Sequence, residues 1–204
     1  ILAPSPPKQR IGAAGLDGAG PGARAMTETA LVAGSARCVF EDLAHARTLA
    51  PDAQIIAVNM TGLVLPALLH LASLHAEFIA WVATGRLLMD TTSNPKGERV
   101  QVHSTAPWPG VDRVWAGLSR GGSSGLFGVR VALALGFARV ICAGIPLDSS
   151  GRFFDAPGPP RWPLDDPDCG DPYRAAWMHA AEDEFAGRVT SCSGWTRTLL
   201  GAPA

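Results

Sequence analysis

GGSSGLFGVRVALALGFARVICAGIPLD, residues 121–148, decides the fold. Gly121 to Gly125 form a small-residue loop. The next stretch has helical spacing, with Leu126, Val129, Leu133 and Ala134 on one face, and predicts a helix over 126–135. Gly136 is placed to end that helix, because a residue just past a helix often needs the left-handed conformation that glycine adopts without cost. Residues 139–145 then run apolar without alternation, as a strand buried on both faces does. The run stops at Pro146-Leu147-Asp148. A helix that feeds a fully apolar strand is half of a crossover unit, and such units build parallel sheets.

The same alternation extends towards the start. Residues 30–33 are a short apolar run closed by Gly34-Ser35-Ala36. A helix is expected over 39–49, from the spacing of Val39, Leu43, Ala46 and Leu49. A β-branched strand follows at 54–58 and ends at Asn59. A short helix broken at Pro66 fits 63–69, a third strand 70–75 and a helix 77–88. Val100, Val102 and Ser104 alternate as a strand over 99–104 should, and 112–116 reads as a further strand. Beyond Asp148, residues 149–172 form a Pro-rich loop, longer than most connections. A helix over 173–185, a strand over 188–191 and a last helical turn over 195–200 complete the chain. The predicted fold is an α/β Rossmann-like three-layer sandwich with a mostly parallel sheet.

The 204 residues fit one domain preceded by a tail. Residues 1–25 are Pro-, Gly- and Ala-rich without periodicity and are expected to be disordered. Met26 stands just before the first strand, which suggests translation from Met26, with residues 1–25 as non-native upstream read-through. Mass spectrometry of protein from the native host tests this, and an intact Ile1 segment would overturn it. Residues 26–204 are then a single domain. A formal net charge of −1 and the absence of a basic run argue against nucleic acid as a partner. The most apolar region, 55–83, is interrupted by Asn59, Gly62, Pro66, His70, His75 and Glu77, so no membrane span is expected. None of the four cysteines forms a C-x-x-C pair, and no set of residues has metal-ligand spacing. Without a signal or a disulfide framework, the cytoplasm is the expected location.

Parallel sheets bind ligands outside the carboxyl ends of their strands. That rule turns the strand ends into a list of site residues. Gly34 and Ser35 open the first helix, where free N–H groups attract phosphate; the alternative is a tight turn with a serine cap. Gly122, Ser123, Ser124 and Gly125 offer a second set of N–H groups and two hydroxyls, or simply a capped helix start. Asn59 can read a base or ribose with its amide, or merely form a turn. His75, His103 and Asp148 are the candidate catalytic groups, each able to act as a base towards an acceptor hydroxyl. Arg152, Phe153, Phe154 and Trp162 fit either a lid or an exposed linker. Ser193-Gly194-Trp195-Thr196-Arg197 reads as a cap with Trp195 packing the last helix, or places Arg197 near phosphate. There is no G-x-G-x-x-G and no G-K-[ST], so neither a dinucleotide fingerprint nor a P-loop is present.

The runs LVAGSARCVFEDL, IIAVN, SLHAEFIAW and GGSSGLFGVRVALALGFARVICAGIPLD, with the closing SGWTRTLLG, resemble a Rossmann-like family of bacterial and prophage proteins. More remotely, the chain is similar to bacterial sialyltransferases that use CMP-sialic acid and to the archaeal 6-hydroxymethylpterin diphosphokinase-like group. The shared features fall on Gly34-Ser35, Asn59, Ser124-Gly125, Ala134-Leu135-Gly136 and Gly144 with Asp148. The resemblance implies that Gly34, Ser35, Asn59, Ser123, Ser124 and Gly125 line a nucleotide pocket. The implied ligand is a nucleotide or nucleotide-sugar donor, with or without magnesium. The sialyltransferases' paired phosphate-binding tyrosines have no counterpart, since Tyr173 is the only tyrosine. The expected function is therefore transferase-like use of such a donor, with a non-catalytic nucleotide-binding or phage accessory protein as the alternative.

Overall fold

A computed structural model describes residues 26–66, 68–88, 99–118, 121–156 and 167–204. The expected tail at 1–25, Trp162 and part of the 149–172 loop lie outside the described residues. Seven strands form one sheet: β1 (Met26–Ala33), β2 (Gln54–Val58), β3 (His70–Ala72), β4 (Gln101–Ser104), β5 (Arg113–Val114), β6 (Phe137–Ala143) and β7 (Val189–Ser191). The helices are α1 (Val39–Leu49), α2 (Thr61–Val64), α3 (Ala76–Leu88), α4 (Ser124–Ala134), α5 (Pro167–Asp183) and α6 (Gly194–Leu200).

The sheet order is β5-β4-β3-β2-β1-β6-β7, and every pairing is parallel. The sheet is open, and the "mostly parallel" expectation sharpens to all-parallel. β1 has a partner strand on each side, and its last four residues, 30–33, are fully buried by what packs on the two faces of the sheet. Ala30 and Val32 face one layer with Leu126, Val129 and Trp177, from α4 and α5. Leu31 and Ala33 face the other, with Val39, Leu43 and Ala46 of α1 and Val82 of α3. Period-two alternation thus sends successive residues of one strand into two cores. This is the α/β Rossmann-like sandwich read from the sequence, with helices on both faces of a parallel sheet.

Several boundaries differ from the expected ones, for local reasons. β1 starts at Met26 rather than at residue 30, because Met26 pairs with Phe137 across a register irregularity. β6 ends at Ala143, because Gly144 has φ +64 and turns out of the sheet. The helix expected over 63–69 is one turn, Thr61–Val64; Leu65, before Pro66, is extended at ψ 126, as a residue preceding proline prefers. β3 ends at Ala72 rather than at 75, because the Ser73 hydroxyl accepts from the His75 N–H at 3.0 Å and closes a turn. α5 begins at Pro167, six residues ahead of expectation and with proline in the first turn it tolerates.

Candidate functional site

The order of the sheet reverses between β1 and β6. From β1 the chain steps outward through β2 to β5, then returns to place β6 on the other side of β1. In open α/β sheets, ligands sit in the crevice at that switch point. Here the crevice is a cleft of about 620 Å³ at the carboxyl ends of the strands. The two central strand ends approach closely at its base. Gly34 N–H donates to Ala143 O at 2.8 Å, and Ala36 N–H to Gly144 O at 3.1 Å. A Cβ on Gly34 would overlap the Gly144 carbonyl oxygen, so only glycine fits there.

The structure brings Gly34, Ser35, Asn59, His75, Gly122, Ser123, Ser124, Gly125 and Asp148 to the wall of this one cleft. Their hydrogen bonds separate groups used by the fold from groups left for a ligand. Thr61 Oγ1 donates to Gly34 O at 2.7 Å, and the Ser35 hydroxyl has two acceptors within reach, Thr61 Oγ1 at 3.0 Å and Val58 O at 3.3 Å. The Ser35 hydroxyl is therefore spent on the turn. Asn59 is held in the left-handed region at φ 54, and its Oδ1 accepts from Ser73 Oγ at 2.8 Å. The amide nitrogen is the end left over. Ser123 is the N-cap of α4: its hydroxyl oxygen accepts from Leu126 N–H at 3.3 Å and from the Trp177 indole at 3.2 Å.

Ser124 differs from all of these. It is 8% exposed, and its Oγ has no hydrogen-bond partner. A buried hydroxyl without a partner is costly, and the residue that carries this one is among those lining the cleft, at the start of α4. The Ser124 and Gly125 N–H groups belong to the first turn, where no intrahelical acceptor exists. Together they form an uncompensated donor set where the helix dipole favours negative charge.

The opposite wall is mixed. Asp148 is partly buried, and its Oδ1 accepts from Ser150 N–H at 2.9 Å. His75 has a half-exposed side chain, with Nδ1 3.7 Å from Glu77 Oε1, and its ring meets Phe78 edge-on at 5.5 Å. Arg152, Phe154, Asp155 and Tyr173 complete the rim. The backbone of 149–156 is tied down over the β1–α1 turn: Arg37 N–H donates to Gly151 O at 3.1 Å and Phe153 N–H to Ser35 O at 3.0 Å. Phe153 turns away from the cleft and packs against Phe40 at 5.5 Å. Sequence reasoning marked Gly144 only through the resemblance and missed Phe78, Leu147 and Asp155. Leu147 has φ 50, which no leucine signals in advance.

His103 does not join the site. It is fully buried on β4 and absent from the cleft wall. Being third in a four-residue strand, it points into the layer rather than off the strand end. Trp115 Nε1–H donates to its Nδ1 at 3.0 Å. Indole nitrogen only donates, so His103 carries its proton on Nε2, which faces His70 Nδ1 at 3.0 Å. Burial, the neighbouring His70 and Arg113 push its pKa down to about 4, against a smaller raising effect of Asp112. Burial also lowers that of His70. His103 is a neutral, doubly bonded packing residue, which removes it from the candidate bases.

Among the described residues no group of three or more His, Cys, Asp or Glu could hold a metal ion. Nor is any described helix long and apolar enough to cross a membrane. Fold and site together define an open, all-parallel α/β sandwich with a cleft at its switch point. Comparison with family models, curated proteins and solved structures finds no match for this chain.

Proposed function

We propose that this chain binds a nucleotide or nucleotide-sugar in the switch-point cleft and acts as a transferase towards an acceptor hydroxyl. One observation carries the reading: the buried, unpartnered Ser124 Oγ beside the free N–H groups that open α4. A phosphate oxygen there would satisfy all three donors. The amide nitrogen of Asn59, on the same wall, is the group that would read the nucleoside. His75 and Asp148 are the candidate bases. The resemblance to the bacterial and prophage Rossmann-like family, and to enzymes using CMP-sialic acid or transferring diphosphate, supports the same ligand class. A cytoplasmic location fits such a donor.

The first test is a thermal-shift screen of the full chain against CMP, UDP, GDP, ADP, their sugar conjugates and NAD, with and without magnesium. A ligand at about 100 times its dissociation constant adds about 2.7 kcal/mol of stability, which is readily seen. A selective shift with one nucleotide would support the reading, and donor turnover in wild type, His75→Ala and Asp148→Ala would follow. No shift with any of them would remove it. A second reading, a non-catalytic nucleotide-binding or phage accessory protein, is favoured by the state of His75. Its ion-pair partner among the described residues, Glu77, has a 60% exposed side chain and sits 3.7 Å away, too loose to orient a catalytic imidazole. That reading predicts saturable binding without turnover.

A further inference from the structure

The Ser193-Gly194-Trp195-Thr196 segment has no part in the cleft wall, yet it touches the cleft floor from behind. Residues 144–148 form that floor. Trp195 N–H donates to Pro146 O at 2.8 Å. Thr196 Oγ1 donates to Ile145 O at 2.6 Å and is itself fully buried. Gly194, at φ +64, lies so close to Pro146 that any Cβ would overlap it. From the other side comes Asp42 of α1, 8% exposed. Its Oδ2 accepts from Gly144 N–H at 2.8 Å and from Ser193 Oγ at 2.6 Å. The salt bridges among the described residues do not include Asp42, and the Cys38 thiol, 3.4 Å from Ser193 Oγ, also interacts with its side chain.

We propose that Asp42, with Ser193 and Thr196, is a positioning residue for the cleft. One carboxylate oxygen joins three distant parts of the chain: the first turn of α1, the end of β6 and the turn before α6. Holding the Gly144 N–H fixes the peptide that turns the chain out of the sheet. The Gly144 carbonyl is already fixed by Ala36 N–H. With the peptide groups on either side of the Gly144 Cα clamped, and Ile145 and Pro146 carbonyls gripped by α6, the floor has one path into Leu147 and Asp148. Asp42 touches no ligand; it acts through the backbone that carries Asp148. This inference rests on the cleft being a ligand site, but the floor's rigidity can be read without any ligand.

The test is amide hydrogen exchange with mass spectrometry on the full chain, paired with CMP affinity. Asp42→Ala should raise exchange about tenfold or more at 144–148 while amides of β1 and of 140–142 keep their protection. Asp42→Asn keeps an oxygen acceptor without the charge and should restore protection at 144–148. If wild type binds CMP, affinity should fall about tenfold in Asp42→Ala and recover in Asp42→Asn. Unchanged protection at 144–148, an equal loss across the whole sheet, or no recovery with Asn would overturn the proposal. If Asp42→Ala fails to fold, Ser193→Ala and Thr196→Val replace it under the same criteria. If wild type binds no nucleotide, the functional reading fails, and the exchange data alone still decide the clamp.

Discussion

Two serines adjacent in sequence have opposite fates. Ser123 is consumed in capping α4 and holding the Trp177 indole, whereas the Ser124 hydroxyl is buried with nothing to bond. Replacing Ser124 with alanine removes no interaction from the free protein. Ser124→Ala should leave the urea midpoint of the unliganded chain nearly unchanged, and should weaken a bound phosphate ligand about tenfold, one hydrogen bond's worth. A variant that loses stability instead would mean that the hydroxyl has a partner in the fold. Gly34 makes the complementary case. Its missing side chain leaves room for the Gly144 carbonyl, and Gly34→Ala should cost about 2 kcal/mol in denaturant unfolding through forced separation of the strand ends. A sequence shows that a small residue is present at these positions. It does not show which hydroxyl is spent, since capping depends on which residue takes the extended conformation, here Ser123 at ψ 163.

Elements were legible where periodicity was strong and opaque where a single backbone angle decided. The run from Leu126 to Gly136 announces α4 and its stop, and Gly136 indeed sits at φ +96. Gln54–Val58 emerges with the bounds its β-branched run suggests. The end of β6 was not readable, because Ile145 and Leu147 look like strand residues and only Gly144's positive φ takes them out of the ladder. His103 was misplaced for a related reason. β4 ends at Ser104 as expected, but the strand's bounds do not tell whether the side chain just before its end points to the rim or into the core. The start of α4 carries further structure. Arg130, 4% exposed, donates to Gly121 O at 3.1 Å and forms two 2.8 Å bonds with Glu184, so the helix anchors the loop that precedes it. Ser123→Ala would remove the cap and orphan a fully buried indole N–H. The expected loss is about 2 kcal/mol or more, measured by thermal or urea unfolding, with local exchange rising first in the opening turn of α4.

At the scale of the molecule, the buried imidazoles make stability depend on acid. His103 titrates at about 4 in the fold and near 6.5 when unfolded. Between those values the unfolded chain binds a proton that the native chain refuses, so stability falls as pH drops through this window and levels off below it. His70, lowered in the same direction, adds to the slope. For His103 alone the loss from pH 7 to pH 5 is about 2 kcal/mol. Urea unfolding at the two pH values checks this, with His103→Gln expected to show a flatter dependence. Equal slopes in the two proteins would show that other groups dominate. The physical cause is burial first, then the neighbouring His70 and Arg113; a proton on Nδ1 would also face the Trp115 N–H, which already points there.

The clamp beneath the cleft also bears on synthesis. β1 and α1 leave the ribosome early, and β6 follows only after more than a hundred residues' worth of translation. Contacts this far apart in sequence make the central pairing slow to form. Even then the pocket has no finished floor, because Ser193 and Thr196 are translated only after β6 and β7. A nascent chain paused anywhere before them holds most of the sheet and none of the seal. Binding competence should therefore be acquired only once Ser193 and Thr196 have followed β6 out of the ribosome, after the central strands have had time to pair.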